Sequence, residues 1–255
     1  MGAKAGYSQA DVTTFANVLT GWSIGGGEGR LAGGTAGRYF FRVSLHQPGP
    51  QTLLGRGYAQ SGEAQGLAVL ADLARHPSTA RHLATKLARH FIADDPPADS
   101  IARIATAFRS SEGHLPATYR ALVDSKEAWN PQPAKFKTPQ DFIYSSYRAF
   151  DIAPAEQRAL LAPFELLGQR VYSPGSPAGW PDTSSDWDGA DALMKRIEWS
   201  VAAGDRLAPI RVPLTTAGQA LGPLLSEHTQ DALHRAASTS QALSLFLLSP
   251  EFQRR

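Results

Sequence analysis

Three groups of residues in this sequence have types and spacings that could do chemistry. His82, Lys86 and His90 recur at i, i+4 and i+8, so in a helix they form one stripe, with Arg75, His76, Arg81 and Arg89 close by. Two imidazoles and an ammonium in a row could bind an anion or phosphate. With Asp94 or Asp95 just beyond, they could also form a His–carboxylate acid–base site. The same row reads as a solvated basic face whose last turn complements the helix dipole. The pattern lacks the glutamate of a zinc-protease helix.

The second group is a run of carboxylates, Asp182, Asp186, Asp188 and Asp191. Asp186-Trp187-Asp188 alternates as oxygen ligands for Ca²⁺ do, which makes Asp182, Asp186 and Asp188 candidate metal ligands. An EF-hand counted from Asp182 would need Gly and Glu where Trp187 and Leu193 stand. The alternative is helix capping by Asp188 with Asp191 in the first turn. No cofactor is expected, a divalent metal at these aspartates aside.

The third group is scattered. His46, beside Gln47-Pro48-Gly49, could be a catalytic base or a turn residue bonding backbone. Trp22, Trp129, Trp180 and Trp187 fall near loops or element ends, where they could stack on a sugar or anchor the loops themselves. Gly6-Tyr7-Ser8-Gln9-Ala10 approaches a nucleophile elbow, but no strand leads into it, and Ser8 with Asp11 reads as a helix cap. In Gly175-Ser176-Pro177 the proline removes the amide that an oxyanion hole would use. Gly27-x-Gly29-x-x-Ala32 is preceded by a helix and followed by a strand, the reverse of a dinucleotide-binding turn, and reads as a flexible surface loop.

These residues need elements to hold them, and the signals are mostly helical. Val12, Phe15, Ala16, Leu19 and Trp22 make one apolar face. Leu67, Leu70, Ala71 and Ala74 make a second; Leu83, Leu87 and Phe91 a third; Ile101, Ile104, Ala105 and Phe108 a fourth. Short helices are expected over 115–123, 138–150 (with Thr138 as cap and Pro139 at the first position), 155–167, 227–237 and 241–248. A longer one carries Leu193, Met194, Ile197 and Val201 inward. Tyr39–Ser44 alternates like a strand and pairs with Gln51–Leu54 around Gln47-Pro-Gly-Pro50. The expected fold is mainly α: an irregular multi-helix domain over 1–255, with one small β-hairpin and long Gly/Pro-rich loops.

Composition narrows the classes further. The 255 residues include no cysteine, which removes disulfides, thiolate nucleophiles and Cys-type metal centres. A net charge of +2 argues against nucleic acid as a partner. No apolar run approaches the ~20 residues of a membrane span. The start, Met1 to Tyr7, lacks the apolar core of a signal peptide.

Several blocks together resemble one known family. Asp11-Val-x-x-x-Ala16-x-x-Leu19-Thr-Gly-Trp22 is followed by Phe41, His46-Gln-Pro-Gly49 and Leu54-Gly55. His76-Pro-Ser-Thr-Ala80 leads to Lys86-Leu-x-x-His90-Phe91 and Asp94-Asp-Pro96. Lys135-Phe-Lys-Thr-Pro139 and Ser176-Pro-Ala-Gly-Trp180-Pro-Asp182 complete the set. In this order they resemble the bacterial family of domain of unknown function 1800. The resemblance implies a largely helical protein, usually exported or periplasmic, with genes that often neighbour a sulfatase-like family. It supplies no catalytic residue. Members are typically near twice this length, so the chain is expected to be the C-terminal part of such a protein. The position after His46 is often acidic in the family and is Gln47 here, which weakens a His–carboxylate pair there.

Two functional expectations follow from different classes, with a third beside them. The first is a non-enzymatic exported protein that binds a sulfatase-like partner or an envelope polymer, with Trp22, Trp180 and Trp187 as contacts. The second is a hydrolase-type enzyme using His46, His82, Lys86, His90 and Asp94 with Asp182 or Asp186, which requires these groups to meet in one cleft. The third is an inactive gene fragment.

Overall fold

The computed structural model describes residues 6–154 and 156–255. Helices take up 59% of the chain, beside two small two-stranded antiparallel sheets, so the class is mainly α as expected. The chain divides into two compact units, Met1–Leu87 with Pro97–Ser125, and Ala88–Pro96 with Lys126–Arg255.

The first unit opens with α1 (Gln9–Val18), started by a reciprocal cap. The Ser8 hydroxyl accepts from the Asp11 N–H at 3.2 Å, and Asp11 accepts from the Ser8 N–H at 2.8 Å. The second Asp11 oxygen accepts from Leu54 N–H at 2.7 Å and so ties the start of α1 to a hairpin.

The strands pair differently from the expected hairpin. β1 (Trp22–Ile24) pairs with β2 (Tyr39–Phe41), and β3 (Gln51–Leu53) pairs with β4 (Arg56–Tyr58). The reason lies in Leu54-Gly55, both at positive φ (50° and 76°), which form the two-residue turn whose twist suits a tight hairpin. That local closure takes β3 away from β2.

The glycine-rich stretch between β1 and β2 is bonded to itself rather than loose. Gly25 N–H donates to Arg38 O and Gly26 N–H to Gly33 O. The buried Arg42 guanidinium reaches in to Ser23 Oγ and to the carbonyls of Ile24 and Leu31.

The unit's other α-helices are α2 (Glu63–Arg75), most of α3 (Pro77–Phe91), α4 (Ala98–Ser110) and α5 (Leu115–Val123). α4 buries Ile104 and Phe108 of its expected face, whereas the inward faces of α2 and α3 are not the leucine faces the periodicity suggested. In α2 the buried residues are Gln65, Gly66 and Val69, while Leu67 and Leu70 face outward. In α3 the buried row is Ala80, Ala84 and Ala88, and Phe91 is exposed.

The second unit holds α6 (Pro139–Ala149), α7 (Gln157–Leu166), α8 (Ala190–Leu207), α9 (Pro213–Leu221), α10 (Glu227–Arg235), α11 (Thr239–Leu248) and α12 (Pro250–Gln253). Thr138 caps α6 as expected, its hydroxyl accepting from Asp141 N–H at 3.2 Å. α9 and α12 were not anticipated. The helix expected from Ala155 begins at Gln157 in the structure, and Ala155 lies outside the described residues. Gly189, not Asp188, occupies the cap position of α8.

The core gathers Phe142, Ile143, Phe164, Leu243, Phe246 and Leu247. Each such side chain contributes roughly 1.5–3 kcal/mol on burial. α8 turns Arg196, Ser200, Gly204 and Leu207 inward and leaves Leu193, Met194, Ile197 and Val201 outside, the reverse of the expected face. The cause is close packing on α11: a Cβ on Gly204 would stand 2.5 Å from the Ser240 carbonyl oxygen.

Candidate functional site

The densest chemistry in the second unit starts from a short backbone pairing. Lys135 and Arg255 exchange N–H···O bonds of 3.1 and 2.9 Å, and Lys137 N–H donates to Gln253 O at 2.8 Å. The pairing carries Lys135, Lys137 and Arg255 on two adjacent segments. α6 begins directly afterwards, so its first turn delivers Asp141 to Arg255, with Nε and Oδ2 2.9 Å apart. Buried Lys135 reaches the Asp94 carboxylate and the Asp182 carbonyl oxygen. Ser184 joins them: its N–H donates to Asp94 Oδ2 at 2.8 Å, and its hydroxyl accepts from Phe136 N–H at 3.1 Å. Arg89 stands 3.9 Å from the Asp182 carboxylate, and a His90 ring nitrogen lies 3.5 Å from the Arg255 guanidinium.

Charge and burial set the proton affinities here. Burial by itself would raise Asp94, but hydrogen bonds from Lys135 and Ser184 hold its carboxyl below the ordinary value. His90 is lowered, mainly by burial and then by the neighbouring Arg255. Arg196, 1% exposed, donates to Gln253 Oε1 at 2.8 Å and Lys137 O at 2.6 Å and stacks on the rings of Phe136 and Phe142. Burial lowers it to about 10. Lys137, 8% exposed, has its ammonium 4.0 Å from the centre of the Phe252 ring. Burial brings it down to about 8, a fall that Asp141 opposes and Arg196 and Arg255 reinforce.

Beside these residues in sequence lies a crevice of about 700 Å³, also in the second unit. α6 contributes Gln140 and Tyr144; α7 Leu161 and Phe164; the following segment Gln169, Val171, Tyr172, Pro174 and Trp180. Gln169 accepts from the Gln140 N–H through Oε1 at 2.8 Å, which fixes the amide and turns its Nε2 donor away from that bond. Tyr172 is 98% exposed and held at φ +57°, a conformation unusual for an aromatic residue. Trp180 rests against Trp187, their ring centres 6.1 Å apart. Trp187 is buried, with its indole N–H donating to Pro181 O.

The first unit has a cavity of a different kind, about 460 Å³ and lined chiefly by apolar side chains from Val12, Phe15, Leu53, Leu70 and Leu73.

Of the residues singled out from sequence, the second unit holds His90, Asp94 and Asp182 near one another around Lys135 and Arg255. Trp180 lines the crevice and Trp187 supports it from behind. Asp186 accepts from the Thr183 hydroxyl, and Asp188 acts on Arg196 electrostatically. Among the described residues no three His, Asp or Glu side chains converge to hold a metal ion.

His46, His82, Lys86 and Trp22 belong to the first unit. His46 Nδ1 lies 3.0 Å from Thr20 O with its ring against Phe41. His82 is lowered by burial and by Lys86. Trp22 packs edge-on to Tyr39 and over Gly66.

Sequence reasoning passed over Lys137, Arg196, Gln169 and Tyr172. Arg196 did leave a signal: Arg196, Ser200, Gly204 and Leu207 follow a helical row of their own, though a polar one. Lys135 and Lys137 belong to the Lys135-Phe-Lys-Thr-Pro139 block, whose pattern carries no signal of burial.

Fold and site together define a mainly helical protein of two units, the second carrying an aromatic, amide-lined crevice and a buried basic cluster. The chain belongs to the family described as "Protein of unknown function (DUF1800)", which matches residues 1–254. No curated protein and no solved structure matches it. None of the described helices is long and apolar enough to cross a membrane.

Proposed function

We propose that this chain is a non-catalytic binding protein of the bacterial cell envelope, and that the crevice of the second unit seats a saccharide segment of an envelope polymer. The envelope location rests on the family resemblance. The seat rests on one observation: Tyr144, Tyr172 and Trp180 line a single crevice together with the oriented Gln169 amide. Sugar rings present C–H faces that stack on aromatic planes and hydroxyls that bond amides, so this lining suits them. A fully exposed tyrosine held at positive φ costs stability, and such strain is commonest where function maintains it.

The nearby acid–base groups favour binding over hydrolysis. Asp94 is held as a carboxylate by Lys135 and Ser184, which disfavours it as a proton donor, and the Ser184 hydroxyl already serves Phe136 N–H.

The test is tryptophan fluorescence and calorimetry against soluble cell-wall glycan oligomers. Binding that weakens about tenfold or more in Trp180→Ala and in Tyr172→Ala, a loss of about 1.4 kcal/mol, supports the reading. A folded protein that binds no glycan oligomer, or binds it equally in both variants, overturns it.

A further inference from the structure

Gln169 is more than nine-tenths buried and lines the crevice of the second unit. Its Oε1 is committed to the Gln140 N–H at 2.8 Å, and only the oxygen of an amide can accept that bond, so the orientation of the whole group follows. Nε2 has no bonded partner among the described residues. It is also absent from the enclosed unpaired atoms, so this donor keeps open surface, and the crevice is the space that Gln169 lines. A donor on so buried a side chain, left without a protein acceptor, gains from a ligand oxygen what the fold has not supplied.

The rest of the wall limits the chemistry of that ligand. Leu161, Phe164, Val171 and Pro174 are apolar, Tyr144, Tyr172 and Trp180 are aromatic, and no charged side chain lines the crevice among the described residues. The Tyr144 ring is steadied by an edge contact with Phe164, their centres 5.5 Å apart. A sugar carboxylate would lose water here with no cation to meet it, and a sugar ammonium would find no carboxylate. A sugar bearing hydroxyls alone would set them against aliphatic side chains. An acetamido substituent matches both parts of the wall. Its carbonyl oxygen accepts from an amide N–H, its methyl group covers aliphatic surface, and it carries no charge.

We propose that the crevice selects N-acetylated, uncharged sugars, with Gln169 Nε2 donating to the acetamido carbonyl and Leu161, Phe164 and Val171 receiving its methyl group. This specificity rests on the saccharide reading of the crevice.

The test is calorimetry with β-1,4-linked tetramers of N-acetylglucosamine, glucosamine and glucose. The chain should bind the N-acetylated tetramer about tenfold or more tightly than either of the others. Gln169→Glu separates the donor from the fold: a glutamate oxygen still accepts the Gln140 N–H at the start of α6, where a negative charge is tolerated, while Nε2 is replaced by an acceptor. With a melting midpoint near the parent's, that variant should lose the preference for the N-acetylated tetramer; should it not fold, the ranking by the parent alone decides. Equal binding of all three by the parent, or a preference kept by folded Gln169→Glu, overturns the acetamido assignment and leaves the saccharide reading standing. Binding of no tetramer also overturns the assignment, and the saccharide reading falls with it only if cell-wall glycan oligomers fail to bind as well.

Discussion

Arg196 and Lys137 are neighbours with opposite energetic meanings. Arg196 is a fully bonded buried cation, so truncating it strands Gln253 Oε1 and Lys137 O and leaves a void between two phenylalanines. Arg196→Ala should therefore destabilise by about 3–5 kcal/mol, the range for breaking a buried charged network. Lys137 has a ring beside its ammonium, and burial lowers its proton affinity to about 8, so its charge costs desolvation although it still predominates at neutral pH. Lys137→Met keeps the volume and drops the charge, so it should be neutral or stabilising by about 1–3 kcal/mol. Urea unfolding of both variants compares the two directly. Destabilisation of Lys137→Met by as much as Arg196→Ala would mean that the ammonium has a strong internal partner.

At the scale of elements, close approach prevails over hydrophobicity. Three helices include small residues in their buried rows and leave larger apolar residues outside. Gly66 of α2 lies under the Trp22 ring, with a Cβ there only 2.8 Å from it; α3 buries Ala80, Ala84 and Ala88; α8 buries Ser200 and Gly204. Small side chains let backbones come near, and near backbones bring more atoms into dispersion contact. Gly204→Ala should accordingly destabilise by about 1–3 kcal/mol through overpacking, despite the better helix propensity of alanine. Val201→Ser, on the exposed face of the same helix, should stay within about 0.5 kcal/mol. A thermal melt of the pair decides it: if the valine change proves the larger, the outward face of α8 is covered in solution.

For the whole molecule, the response to acid follows from where the carboxylates sit. Burial would raise Asp94 and Glu251, but their hydrogen bonds, from Lys135 and Ser184 and from Ser226 and Thr229, bring both below ordinary values. A carboxyl lowered in the folded state contributes stability above its unfolded value, about 4, and that stability is lost as pH falls through the folded value. His90 is lowered too, by burial and then by Arg255. The unfolded chain therefore takes up its proton first, and this share is lost as pH falls below about 6.5. Melting midpoints should decline gently below pH 6.5 and more steeply below about 4. His90→Gln should flatten the first decline, and Asp94→Asn and Glu251→Gln should shrink the second. Profiles that superimpose on the parent would assign the acid response to other groups.

The sequence by itself determined the mainly helical class, the family, and the features whose physics is local. The Ser8–Asp11 cap, the Thr138-Pro139 start of α6 and the 115–123 helix depend on residues three or four apart, and periodicity and capping chemistry report those distances. It also marked His90, Asp94, Asp182 and Trp180, because such residue types are conspicuous wherever they stand. Only the tertiary structure decided strand partners, helix faces and the site. Leu54-Gly55 closes β3 onto β4, a choice made by turn geometry in competition with every other strand. Arg196 counts as core because two phenylalanines and a glutamine from distant segments surround it. Lys137 became distinctive through its surroundings, since the Phe252 ring at its ammonium and the Arg196 guanidinium on its carbonyl come from residues 50 or more positions away that only folding brings near.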